Sequence, residues 1–72
     1  MAYDNKSKVQ LDAEKLIRLR AAREWTQKKA AEKSRVSLPT YGSAESGKLI
    51  QLVKASRIAK AYRIPLEELR SA

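Results

Sequence analysis

A chain of 72 residues with 16 Lys and Arg against 8 Asp and Glu carries a formal charge of +8, and it contains neither Cys nor His. That length bounds one domain around a single core, with roughly 60% of the unfolded chain's surface buried on folding. Without Cys there is no disulfide or zinc thiolate, and without His the commonest metal ligand and general base is missing. No clustered carboxylates replace them, so neither an enzyme nor a cofactor or metal site is expected. The charge points to a polyanion as partner, with nucleic acid first and an anionic membrane second, while solubility alone is the plainer account. No apolar run reaches the ~18 to 20 residues of a spanning helix, and the chain does not open on a hydrophobic signal segment. The expected setting is the cytoplasm, at the nucleoid, with no membrane.

Residues 1–10 mix Asp4, Asn5, Lys6, Ser7 and Lys8 without an apolar period, which predicts a flexible basic N-terminal arm ahead of a folded domain over 11–72. Such an arm either touches nucleic acid or is an inert leader. A first helix starts with Asp12 as N-cap and Glu14 in the first turn, buries Leu16 and Leu19, and ends near Arg23. Trp25 reads as a core anchor rather than a stacking platform. Thr26 then caps a second helix running to about Ser34, with Trp25 and Ala30 at the spacing of a weak hydrophobic staple.

Lys28 and Lys29 stand in the first turn of that helix, where cations are disfavoured. They are either ordinary solvated lysines or partners of a phosphate held at the helix terminus. After Arg35 and Val36, Ser37 caps a third helix with Pro39 in its first turn. On it Tyr41, Ala44 and Glu45 share one face and Gly42, Ser43 and Ser46 another. Gly47 closes the helix in the left-handed conformation that glycine accepts. Two short helices back to back over about 26–47 read as a helix-turn-helix, an element that docks on duplex DNA.

Lys48 to Ile50 read as a loop, followed by a fourth helix with Leu52, Ala55, Ile58, Ala59 and Tyr62 at intervals of three or four. Pro65, at the first helical position, and Glu67 and Glu68 open a short fifth helix that buries Leu69 and Ile64. The expectation is an all-α fold, a compact five-helix domain without strands.

The residues Leu19-Arg20, Trp25-Thr26-Gln27, Ala31, Val36-Ser37, Thr40, Glu45-x-Gly47-Lys48 and Ala59 through Leu69, in this order and spacing, resemble the lambda-repressor-like helix-turn-helix proteins, the phage repressor, Cro and Xre-type group. The resemblance covers about Leu16 to Leu69. It implies a sequence-preferring, double-stranded-DNA-binding transcriptional regulator, usually a homodimer on an operator, with the third helix in the major groove and the second across the backbone. Carried over by position, Gln27 contacts a phosphate or an adjacent base, and Thr40 and Lys48 contact the backbone. Leu38, Pro39, Gly42 and Ser43 face the groove, beside the capping residues Thr26 and Ser37 and the cation Lys28. Arg20 and Glu45 match an ion pair that ties the first helix to the third. Tyr62, Leu66 and Leu69 are the apolar residues expected at a C-terminal self-contact.

Two departures qualify the resemblance. The family usually has glycine where this chain has Glu24 and Arg35, so those turns either differ or hold a strained residue. The groove-facing set has no Arg, Lys, Gln or Asn to pair with base edges. That leaves a second expectation open, a protein-interaction module of antitoxin or adaptor type whose reading face no longer binds DNA and whose partner is a second protein.

Overall fold

The computed structural model describes residues 7–71, so the expectations for Asp4, Asn5 and Lys6 lie outside the described residues. In chain order the elements are β1 (Lys8–Gln10), α1 (Ala13–Ala22), α2 (Gln27–Ser34), α3 (Leu38–Glu45), β2 (Leu49–Gln51), α4 (Leu52–Ala61) and α5 (Leu66–Leu69). The three helix starts predicted from hydroxyl or carboxyl caps are all formed. The side chains of Asp12, Thr26 and Ser37 accept hydrogen bonds from the amides of Lys15, Lys29 and Thr40 at 3.1, 3.0 and 3.2 Å, satisfying amides that a helix N-terminus leaves open. Pro65 stands one residue before its predicted place, in extended backbone ahead of α5.

The first four helices end in one motif. The amides of Trp25, Val36, Lys48 and Ile64 each reach back five residues to the carbonyls of Arg20, Ala31, Ser43 and Ala59. A shorter bond from the preceding residue accompanies each of them, which is the Schellman arrangement. Its left-handed position holds Gly47 at φ 77°, and also Glu24, Arg35 and Arg63 at φ 57°, 59° and 60°. Glu24 and Arg35 therefore occupy left-handed positions that glycine would accept without strain. The following residue is apolar three times out of four: Trp25, Val36 and Ile64 all pack against the core. Lys48 is the exception and is exposed. Glu24→Gly and Arg35→Gly are each expected to stabilise the fold by roughly 0.5 to 1 kcal/mol, the relief of left-handed strain exceeding the extra chain entropy of glycine. Urea denaturation of the two variants measures this.

The strands correct two expectations. Lys8, Val9 and Gln10 do not form part of a free arm, and Leu49 and Ile50 do not form a loop. They pair antiparallel, Lys8 opposite Gln51, Val9 opposite Ile50 and Gln10 opposite Leu49, with Val9 and Ile50 buried. The ribbon continues at both ends. The Ser7 carbonyl accepts from the Leu52 amide at the start of α4, and the Gln10 carbonyl accepts from the Ser71 amide. A three-residue strand whose partner lies some forty positions away leaves no periodicity to read.

The core is built from Leu16 of α1, Ala30 and Ala31 of α2, Tyr41 and Ala44 of α3, Ala55, Ile58 and Ala59 of α4, and Leu69, closed below by Val9, Leu11 and Ile50. Tyr41 and Tyr62 are wholly buried, and their hydroxyls lie 2.6 Å apart. Trp25 packs on Tyr62 with ring centroids 5.4 Å apart, and Arg23 lies over both rings. Of the three residues expected at a C-terminal self-contact, Tyr62 and Leu69 are used up in the core, with about 1% and 0% of their surface exposed, and Leu66 is partly buried against it. Tyr62 can be buried because Tyr41 satisfies its hydroxyl, a contact between helices that its own helix does not reveal.

Candidate nucleic-acid interface

Glu45 is the node that orients the two helices of the predicted docking unit. It projects from the last turn of α3, and its side chain is only 4% exposed. Arg20 of α1 donates to it through Nε at 2.6 Å and through a terminal nitrogen at 3.1 Å. This is the bidentate geometry that makes guanidinium–carboxylate pairs strong and directional. Gln27, the first residue of α2, donates its amide to the same carboxylate at 2.9 Å. Arg20 also donates to the Trp25 carbonyl at 3.0 Å. One carboxylate thereby joins α1, α2, α3 and the turn between the first two.

Electrostatics follow from this geometry. Burial alone pushes the Glu45 carboxyl up, but donation from Arg20 and Gln27 and the charge of Arg20 outweigh it and hold the group below the usual carboxylate range. The bond to Glu45 raises Arg20 further above its ordinary value. Burial pushes both tyrosine hydroxyls up.

The predicted contact residues lie around this node. Thr26 and Ser37 are exposed helix caps, and Ser37 also donates its hydroxyl to Thr40 at 2.9 Å. Lys28 is exposed in the first turn of α2, beside amides that favour an anion. Gln27 is pinned by Glu45, so one of its amide hydrogens is occupied within the protein and its head is fixed in place. Leu38, 45% exposed, and Pro39 form the leading edge of α3, and Gly42 opens onto space, with nothing within 4 Å of the position a Cβ would take. Lys48 leaves the end of α3 as the one charged residue following a Schellman turn.

Sequence reasoning missed part of this face. A cleft of about 350 Å³ runs between α3 and the ribbon, lined by Pro39, Thr40 and Ser43 on one side and by Lys8, Leu49 and Lys54 among others on the opposite side. Lys8 is brought to this cleft by the strand pairing, and Lys54 by α4, which follows β2 directly. The available signal was the matched triplets Lys-Val-Gln and Leu-Ile-Gln, each with a β-branched centre between outward residues. Among the described residues, no group of His, Cys, Asp and Glu is placed to hold a metal ion, and no helix is long and apolar enough to cross a membrane.

Two short helices fixed by one buried ion pair, with caps and lysines on the outer side, define a helix-turn-helix domain built to dock on a polyanion. A family model described as helix-turn-helix matches residues 16–69. The chain belongs to this family, the lambda-repressor and Xre-type helix-turn-helix proteins. It is accordingly a DNA-binding helix-turn-helix regulator, and the family is not an enzymatic one. Comparison with curated proteins gave no match, and neither did comparison with solved structures.

Proposed function

We propose that the chain is a sequence-preferring transcriptional regulator of phage or bacterial repressor type, which places α3 in the major groove and α2 across the backbone and binds as a two-fold pair on its operator. The observation that carries this reading is the Arg20–Glu45–Gln27 node, which fixes both helices together while Thr26, Lys28, Thr40 and Lys48 border the outer face. Backbone contacts position the protein, and Ser43, the thymine-methyl partners Leu38 and Pro39, and DNA shape supply the sequence preference. The Thr40 hydroxyl, held by Ser37, donates outward to a phosphate. The cytoplasm, at the nucleoid, is the matching location.

Gly42 gives this reading a specific outcome. A glycine inside a helix with open space around it costs about 0.5 to 1 kcal/mol relative to alanine. Gly42→Ala is expected to stabilise the fold by that amount while weakening DNA binding about tenfold, because the new methyl stands where the DNA backbone or a base edge approaches. Thermal melts and a binding titration of the same variant check both halves.

The second reading, a protein-interaction module, is favoured by the exposed Leu38 and Leu49, 45% and 62% exposed, and by the absence of Arg, Lys, Gln or Asn from α3 itself. Selection of bound duplexes from a random pool separates the two. The regulator yields an enriched sequence with half-sites about one helical turn apart, whereas an interaction module yields no enrichment.

A further inference from the structure

A second basic surface lies away from α3. It is formed by the C-terminal end of α2, the last turns of α4 and the turn before α5. Two adjoining clefts share Lys33 and Ala61. One, of about 290 Å³, is lined also by Ser34, Arg35, Arg57 and Lys60. The other, of about 380 Å³, is lined also by Arg23, Trp25 and Arg63. Neither shares a residue with the cleft beside α3. Six cations border the pair and no carboxylate does, and the one ion pair among the described residues, Arg20 with Glu45, lies elsewhere.

Two details show more than a solvated charge cluster. Ser34, which lines the first cleft, is 2% exposed, and its hydroxyl oxygen is buried without a hydrogen-bond partner, an unmet polar group of the kind that a phosphate oxygen can satisfy. The guanidinium groups of Arg23 and Arg57 are held in place. Arg57 donates to the Arg35 carbonyl at 3.2 Å, and Arg23 donates to the carbonyls of Leu19 and Tyr62 while lying over two aromatic rings. Positioned guanidinium groups are suited to phosphate.

We infer that this surface binds the phosphate backbone of a second nucleic-acid duplex, so that one chain bridges two DNA segments. The occupant is an extended polyanion rather than a single phosphate because the cations continue across two clefts, and a duplex presents one charge per ~1.7 Å of its axis. The inference rests on the docking reading only for the first duplex.

The test uses the full chain. A duplex bound through α3 is immobilised on beads and saturated with protein, and a labelled duplex of unrelated sequence is added. The wild-type chain is expected to retain the label. Lys33→Gln/Lys60→Gln is expected to hold the immobilised duplex as before and to retain at least tenfold less label. Arg18→Gln/Arg70→Gln, with the same change in charge elsewhere on the surface, is expected to behave as wild type. Undiminished retention by the Lys33/Lys60 variant overturns the inference, since bridging then comes from paired docking faces. Wild-type protein that binds the beads but captures no label also overturns it, leaving this surface to an acidic protein. A wild-type chain that binds no duplex at all overturns the docking reading together with it.

Discussion

Arg20→Ala is expected to destabilise the fold by about 3 to 5 kcal/mol, because it leaves the Glu45 carboxylate buried without its guanidinium. A domain of this size has a total stability of roughly 4 to 11 kcal/mol, so the variant is close to unfolded. Glu45→Ala is expected to cost less than Arg20→Ala, since the Arg20 side chain remains 23% exposed and water can reach the orphaned charge. In a double-mutant cycle measured by urea denaturation the combined loss falls short of the sum of the two single losses, and simple additivity would mean that the pair contributes nothing. Acid gives a second readout. The folded-state pKa of Glu45 is lowered, so its contribution is present above the unfolded value near ~4.3 and disappears as pH falls through the folded value. Glu45→Gln removes that part of the acid dependence.

Alkaline conditions should destabilise the domain just as specifically. The hydroxyls of Tyr41 and Tyr62 share a buried hydrogen bond, and burial holds both pKa values above the ordinary one. A raised folded pKa means a contribution fully present below the unfolded value near ~10 and lost as pH rises toward the folded value. Once the unfolded tyrosines ionise and the folded ones do not, stability is expected to fall by about 1.4 kcal/mol per pH unit for each group. Tyr41→Phe alone leaves the Tyr62 hydroxyl without this partner and costs about 1 to 3 kcal/mol. Tyr41→Phe/Tyr62→Phe removes both hydroxyls, costs less than the single change and flattens the alkaline slope. Urea midpoints from pH 8 to 11 compare the three proteins. A wild-type curve as flat as that of the double variant would contradict the buried pair.

What was legible in the chain depended on distance along it. The caps at Asp12, Thr26 and Ser37 and the left-handed Gly47 were readable because each acts on backbone within a few residues. Arg63, the third non-glycine residue in the left-handed region, leaves no such mark, because Pro65 two positions later by itself accounts for the end of α4. The ribbon is hard to read because pairing Val9 with Ile50 is a tertiary event, and the only local mark of it is a β-branched residue at the centre of each short triplet. The apolar spacing of Tyr62 and the burial of Leu69 are legible locally, but the same residues also fit a self-contact, and only the fold shows that both are used up in the core. Gln27 was expected among the docking residues, but its bond to Glu45 becomes visible only when α2 and α3 are set against each other.

Docking on DNA, with sequence preference, by the face that the Glu45 node holds is measured by titrating a selected duplex and a scrambled one by fluorescence anisotropy at several salt concentrations. Lys28 and Lys48 in each half of a two-fold dimer give a log–log salt slope of about −4, at ~0.9 per neutralised phosphate. A slope of that size or steeper is expected, with tighter binding of the selected duplex at every salt concentration and a slope shallower by about 3.6 in Lys28→Gln/Lys48→Gln. Equal and weak binding of both duplexes, unchanged in that variant, would contradict such docking.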